Sequence, residues 1–498
     1  MSQLARLAAR LTGTYAIGNV SQRLLELLVL PIYTLFLGPE EFAVVALAYL
    51  TVTLISLAVT NPLSGAVNRF YHHPAYVSDR REFLGSLFLF ALLKGTVIAA
   101  LYWICCRPLC LLMFGGLEYL PAVRCYTPAV VFLPLSTLLM YTLQMQEKAK
   151  TYVAVLLTGA VLSVSVTIGL LSVANSGLVA LACGQVCGVA YRTFVALPGF
   201  LKSARLCLSP RRLREPLKFG YGLLVGGYAQ SAVGAGDRYV LMAQSTLMNV
   251  GLYDFGYRIG ALLSFLVVDA VKRGVQPILL RHESDPAGQR RLIREFANHY
   301  TLGATFCGLA LALFAREAIM LFASKESFWA SWVIVPIIAL AYVQHGLGNF
   351  LNMGLIMANR PLLISANLII SAVVNVGLNI VLIPIWGIMG AAVATLASYA
   401  VWNALKAYLS ALSYDVRFDW NRIAHVTGVG IGLYLLGLIP TLTLSLWLAV
   451  PLKLLVLGGF PAMLWLTGYF TAEERKHVLR ILGRAHPAVD RSTLRKAA

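Results

Sequence analysis

Charge is what this sequence has least of. Asp, Glu, Lys and Arg make up 12% of its 498 residues, against 59% hydrophobic residues, and the mean hydropathy is +0.76. Apolar runs of about 20 residues recur from end to end, each long enough to cross roughly 30 Å of hydrocarbon as a helix. The chain is therefore an integral membrane protein. Cysteine is sparse as well: eight are scattered along the chain, and Cys183 and Cys187 share a helical face with no histidine nearby. Zinc needs four N or S ligands at suitable spacing, so no metal site is read and the thiols serve as small hydrophobes. Cys106, Cys110 and Cys125 flank the second outside loop, where an oxidising compartment would permit a disulfide. A cleavable signal peptide is not expected, because the first apolar run is too long for one and lacks a small-residue cleavage site.

The apolar runs predict about fourteen spans, at 11–37, 42–67, 83–105, 122–145, 151–173, 178–201, 219–243, 250–271, 296–314, 328–357, 362–383, 388–412, 423–444 and 446–470. The fold class expected is all-α and polytopic. The formal charge of +19 follows topology rather than one patch. Arg6 and Arg10, Arg80 and Arg81, Lys148 and Lys150, the cluster 202–218, the stretch 272–294, Arg360, Arg417 and the tail from Arg475 fall in alternate loops. The intervening loops hold only Arg107, Arg124, Arg316, Lys325 and Lys453. The positive-inside rule then puts both termini in the cytoplasm, and an even number of spans agrees. Nucleic acid is not an expected partner, since such proteins concentrate their charge on one face. The opening segment Gln3 to Leu11, with Arg6 and Arg10 between leucines, is expected to lie on the cytoplasmic interface.

Pro210 and Pro216 punctuate a basic loop that divides the chain into similar parts. Residues 1–201 are read as an N-terminal lobe of six spans, 202–218 as a cytoplasmic linker and 219–412 as a second lobe of six. Residues 413–471 supply spans thirteen and fourteen, and 472–498 a basic cytoplasmic tail. Gly177, Leu178 and Val179 open the sixth span as Gly387, Ile388 and Met389 open the twelfth. Six spans return the chain to its starting side, so the lobes share one orientation and a pseudo-two-fold axis along the membrane normal. Parallel repeats of this kind mark transporters that bind substrate between lobes.

Three arginines interrupt the apolar stretches: Arg23, Arg238 and Arg258. A guanidinium within the bilayer costs several kcal/mol unless it faces a watery cavity or an anionic partner. Glu26 lies three residues from Arg23, Asp237 adjoins Arg238, and Asp254 is one turn from Arg258. These pairs either neutralise one another as helix-internal bonds or line a cavity between the lobes. Arginine grips phosphate oxygens with a planar fork and stays protonated, so Arg23, Arg238 and Arg258, with Arg69 at the cytoplasmic mouth, suit a diphosphate. Asn19, Gln22, Asn61 and Asn68 extend the polar face, and Lys94 in the third span is a weaker candidate. Glu26, Asp237 and Asp269 are candidates to bind a coupling H+ or Na+. His345, beside Gln344, is expected to hydrogen-bond within the packed second half. No catalytic residues and no cofactor are read.

At this point the chain resembles the polysaccharide-export branch of the multidrug/oligosaccharidyl-lipid/polysaccharide (MOP) exporter superfamily, the Wzx-type flippases, with MATE drug exporters as relatives. The stretch NVGLNIVLIPIWGIMGAAVATLAS at 375–398 carries most of the likeness. LGPEEF at 37–42, NRFY at 68–71, DRYVL at 237–241, VGLYDFGYRIG at 250–260 and VQPILLR at 275–281 add to it. The resemblance implies a MATE-like fold and transfer of an undecaprenyl-diphosphate-linked oligosaccharide across the bacterial inner membrane by alternating access. It carries a cationic cavity onto Arg23, Arg69, Arg238 and Arg258, and implies that spans thirteen and fourteen shelter the polyprenyl tail. The expected partners are the lipid-linked glycan, membrane lipids, a polysaccharide polymerase and a chain-length regulator. The alternative is a MATE-like, ion-coupled exporter of small amphiphiles, which would be expected to have an acidic cavity. A membrane enzyme is disfavoured, because the outside loops are short and the first offers only Glu40 and Glu41 as acids.

Overall fold

The computed structural model describes residues 3–173, 177–281, 285–443, 446–470 and 474–475. Among them the chain is helical, without a strand. The first half comprises α1 (Gln3–Leu28), α2 (Leu30–Phe36), α3 (Pro39–Phe70), α4 (Pro74–Val77), α5 (Arg80–Phe114), α6 (Leu120–Cys125), α7 (Thr127–Met145), α8 (Ala149–Val173) and α9 (Gly177–Leu201). The second half continues with α10 (Pro210–Gly222), α11 (Leu224–Gln244), α12 (Leu247–Gly260), a π-helical turn (Ser264–Val268), α13 (Asp269–Arg281), α14 (Pro286–Leu313) and α15 (Ala315–Phe322). A 3-10 stretch (Glu326–Ile334) leads into α16 (Val335–Leu351), α17 (Met353–Met357), α18 (Pro361–Tyr414), α19 (Trp420–Thr443) and α20 (Leu446–Leu466).

Nine helices among the described residues are long and apolar enough to cross a membrane, or ten if the bent pair α14–α15 is one span. The 54-residue α18 counts once among these, yet holds two expected spans. They join at Gly387, whose φ of 55° and ψ of −130° break the helix. Glycine takes that backbone without strain because it has no Cβ. The expected spans that fall short are those that carry the charges: α1 with Arg23, α10–α11 with Arg238, and α12–α13 with Arg258. Ionised side chains lower hydropathy below what lipid alone would accept, so these helices need protein or water beside them. Of the opening segment, only the backbone helix from Gln3 is described; the interfacial placing of Arg6 and Arg10 lies outside the described side chains, as do most of 472–498.

The halves meet near the α2–α3 turn. Phe42 of α3 packs edge-on against Phe255 of α12 at 5.9 Å and against Phe328 at 5.8 Å. A Cβ on Gly251 would overlap the Pro39 carbonyl, so glycine permits that close approach of α12 to α3. Thr51 and Tyr239 share a hydrogen bond of 2.8 Å, and the Lys325 ammonium donates to the Phe36 carbonyl at 3.1 Å. At the opposite end residues 202–218 are strapped to the first half. Arg205 pairs with Glu82 at 3.2 Å, Ser86 donates to the Cys207 carbonyl at 2.7 Å, and Arg212 pairs with Asp79.

Helices α19 and α20 pack on α14 through Leu309, Leu313, Val426, Leu433 and Phe460. Here the structure corrects one expectation: Lys453, assigned to an outside loop, lies inside α20 with 0% side-chain exposure, 2.5 Å from Glu317 of α15. The sequence conceals this because the carboxylate comes from a helix 136 residues away. All eight cysteines are free thiols, including Cys106, Cys110 and Cys125.

Removing one partner of a buried pair strands the other's charge, at a cost of about 3–5 kcal/mol. Glu317→Ala should accordingly lower the thermal unfolding midpoint of the detergent-solubilised protein. The double variant Glu317→Leu with Lys453→Met should hold it near wild type.

Candidate functional site

Four helices supply the charged groups. On α1, Glu26 accepts from Gln22 at 2.8 Å and from Arg23 at 3.0 Å. Residues three and four apart share a helical face, so the spacing itself produces this triad. The Arg23 side chain is 63% exposed and Glu26 44%, which leaves the Nη2 edge of the guanidinium without a bond among the described residues.

On α11 and α12 the arrangement is different. Arg238 donates through Nη1 to Asp237 at 2.7 Å and to the Gly234 carbonyl at 3.2 Å, and through Nε to Asp254 at 3.0 Å. Its guanidinium also lies 4.1 Å from the Tyr257 ring centroid. With 8% side-chain exposure, Arg238 is enclosed. Asp237 in turn accepts from Tyr253 at 2.5 Å and from Thr395 of α18 at 3.5 Å. Asp254 is shared: its other oxygen accepts from Arg258 Nε at 2.8 Å. Arg258 is 44% exposed, sits 5.0 Å over the Phe42 ring, and keeps both Nη groups free of hydrogen bonds among the described residues.

The three arginines grouped by sequence thus divide into one enclosed clamp, Arg238, and two open ends, Arg23 and Arg258. Arg23 presents its open edge from α1, and Arg258 presents its own against Phe42 of α3. Arg192, on α9, is the residue that sequence reasoning missed. The signal was available, since it interrupts an expected span just as Arg23 does. It bonds the Gly188 carbonyl through Nε at 3.3 Å, leaving its Nη edge unengaged.

The remaining candidates scatter. Lys94 donates to the Ala58 carbonyl at 3.0 Å and the Tyr221 hydroxyl at 2.6 Å. Pro62 has no N–H to offer Ala58 four residues back, so Lys94 supplies the missing donor at that kink. Asn61 touches Gly227 of α11, whereas Asn68 and Arg69 are exposed at the end of α3, with Arg69 stacked 4.4 Å over Phe219. Asn19 and Gln22 are half-buried on α1, and Asp269 is half-buried at the start of α13. His345, expected to be hydrogen-bonded, has a buried Nδ1 with no partner and is held instead by the rings of Tyr399 and Trp402 at 5.1 and 5.7 Å. Among the described residues no cluster of His, Cys, Asp and Glu is suited to a metal ion.

This geometry separates two kinds of substitution. Arg238→Ala leaves Asp237 and Asp254 buried beside less positive charge and should destabilise the protein by about 3–5 kcal/mol, visible as reduced abundance in the membrane. Arg258→Ala, at a half-exposed position, should leave abundance near wild type. Quantitative immunoblotting of membrane fractions distinguishes them.

The comparisons with known proteins agree with this architecture. Residues 9–282 match the family described as polysaccharide biosynthesis protein. A probable low-salt glycan biosynthesis flippase of Haloferax volcanii is 26% identical over 220 residues, 44% of this chain and 45% of that protein. The matched region thus spans less than half of that relative. Among solved structures, the lipid II flippase MurJ in an inward closed conformation superposes with a TM-score of 0.75 at 13% identity, over 91% of this chain and 98% of that one. An inward-facing multidrug resistance MATE transporter superposes with a TM-score of 0.61 at 14% identity, over 80% and 97%. At these identities the superpositions establish the fold, and the family match, which covers more than half of the sequence, establishes membership: the chain belongs to the polysaccharide biosynthesis protein family.

Proposed function

We propose that this protein moves an undecaprenyl-diphosphate-linked oligosaccharide from the cytoplasmic to the outer face of a bacterial inner membrane, with both termini in the cytoplasm. The observation that carries the reading is a set of three arginines on membrane helices, Arg23, Arg192 and Arg258, each with a guanidinium edge that makes no hydrogen bond among the described residues. A diphosphate presents oxygens that such edges grip in pairs. Among the described residues only Glu26 and the shared Asp254 pair with these three arginines, so a small cationic drug would meet net repulsion there.

Each part has a stated task. Arg23, Arg192 and Arg258 hold the diphosphate, while Asn19, Gln22 and Asn61 contact headgroup or sugar. Asn68 and Arg69 meet the substrate at the cytoplasmic mouth. Arg238 is a positioning residue: it fixes Asp254, which aims Arg258 towards α3. Lys94 holds the Pro62 kink. Packing of Phe42, Phe255 and Phe328 seals the outer end, and alternating access requires that seal to open as the Pro210 end closes. The flippase relative and the polysaccharide biosynthesis family support the substrate class. Binding both orientations equally would give no net movement, so the glycan must be consumed outside, by a polymerase and its chain-length regulator, or an ion gradient must bias the cycle. The exposed apolar faces of α19 and α20, including Leu435, Leu436, Trp447 and Leu455, would lie against lipid or the polyprenyl tail.

The test uses proteoliposomes and a fluorescent polyprenyl-diphosphate-linked N-acetylglucosamine. A hydrogen bond to a charged group contributes about 1.5–3 kcal/mol, so Arg23→Ala, Arg192→Ala and Arg258→Ala should each slow transport about tenfold or more at unchanged protein level. Lysine at each position should restore part of the rate, because it keeps the charge and loses the fork. Wild-type transport by all three alanine variants would overturn the reading.

A further inference from the structure

The second half contains a buried cation that nothing above uses. Lys406 of α18 is 6% exposed, and its ammonium sits 3.5 Å over the Trp402 ring. No carboxylate acts on it; the charge that does is Lys272 of α13, itself a cation. A Cβ on Gly348 of α16 would strike both the Lys406 ammonium and the Asn403 Oδ1, which places both groups against α16. Asn403 spends its amide on the Gln344 carbonyl at 2.6 Å, and its Oδ1 has no partner. Gln344 Oε1, His345 Nδ1, Asn352 Oδ1 and Ser410 Oγ are buried around the same helices and are also unpartnered. A packed core rarely tolerates so many orphaned polar atoms unless water satisfies them.

A route in and a route out are both present. On one side lies a cavity of about 140 Å³ between α13, α14, α16 and α17, lined by Lys272, Tyr300, Asn349 and Asn352 with Val271 and Phe350. Asn349, which lines the cavity, follows Gly348, the residue of α16 against which Lys406 rests. On the other side, His345 stacks on Tyr399 at 5.1 Å, Tyr399 lies 6.4 Å from Tyr342, and Tyr342 shares a 2.9 Å bond with Tyr257. Tyr257 underlies Arg238, which binds Asp254, which binds Arg258. Phenols both donate and accept, so Tyr342 and Tyr257 can exchange a proton, whereas Arg238 and Arg258 stay protonated and respond only to the charge behind them. The titratable and charged groups facing Lys406 are Lys272 from α13 and His345 from α16. Helix α17 contributes none, and Asp237 and Arg238 of α11 act on Tyr399 rather than on Lys406.

We infer that Lys406 is the proton-binding site that couples this transporter to a proton gradient. The Lys406 amine accepts a proton from water in the Lys272-lined cavity and releases it to water there or towards His345, so the number of protons is conserved at every step. Loading places a second cation beside Lys272 and changes the charge behind the tyrosine chain on which the Arg238 clamp rests. The coupled cycle rests on the transport reading given above, whereas the protonation itself can be read without substrate.

Two measurements on the full-length protein decide the matter. The first follows tryptophan emission against pH in detergent, with Trp402→Phe subtracted to isolate Trp402. A cation 3.5 Å from the ring perturbs its emission, so the wild type should show a Trp402 transition that is lost in Lys406→Met and Lys406→Arg. The second compares uptake of the fluorescent polyprenyl-diphosphate probe with and without a pH gradient. The wild type should be stimulated, while Lys406→Met and Lys406→Arg should run at the ungradiented wild-type rate in both conditions, arginine because it cannot release its proton. A flat Trp402 signal in the wild type, or full gradient stimulation in the arginine variant, overturns the inference. If no protein moves the probe, the transport reading fails while the emission titration still decides whether Lys406 binds the proton.

Discussion

The buried ion network of Asp237, Arg238 and Asp254 is the interaction on which the rest of the site depends. It ties α11 to α12, and through Tyr253 and Thr395 it ties both to the neighbouring α18. Such a network earns little net stability, because desolvating two carboxylates and a guanidinium offsets most of their attraction. What it fixes is geometry. Asp254 divides its two oxygens between an enclosed arginine and an open one, so Arg258 is aimed by a group that cannot itself move far.

The same division of labour recurs at other charged positions. Lys94 caps the carbonyl that Pro62 leaves unsatisfied, Lys453 anchors the last two helices through Glu317, and Arg212 and Arg205 strap the linker to the first half. Each of these cations is matched to a carbonyl or a carboxylate. Against that background two sets of incompletely matched groups bear on the site. One is the open arginine edges of Arg23, Arg192 and Arg258; the other is Lys406 with the orphaned amides near it inside the second half. We assign an anion to the first set and a proton to the second.

The two sets are joined by one chain of side chains, His345, Tyr399, Tyr342, Tyr257, Arg238, Asp254 and Arg258. That chain runs through α12, the helix whose Phe255 and Gly251 form the close contact with the first half. A change of charge at Lys406 therefore reaches the helix that seals the halves and the helix that presents Arg258 by the same route. Coupling between ion and substrate needs such a shared element with two arrangements.

Sequence by itself determined the membrane class, the approximate positions of the helices and the break at Gly387. Those follow from local properties: the length of apolar runs, the spacing of basic loops, and glycine's unrestricted backbone. It also supplied the Gln22–Arg23–Glu26 triad and the Arg258–Asp254 pair, because three- and four-residue spacings place side chains on one face. Tertiary structure decided which arginine is enclosed and which is open, paired Lys453 with Glu317, and left His345 and Lys406 without the partners their neighbours took. Those outcomes depend on helices far apart in the chain. Whether a buried charge meets a carboxylate, an aromatic face or nothing is set by which helix packs against it, and periodicity along a single helix contains no record of that choice.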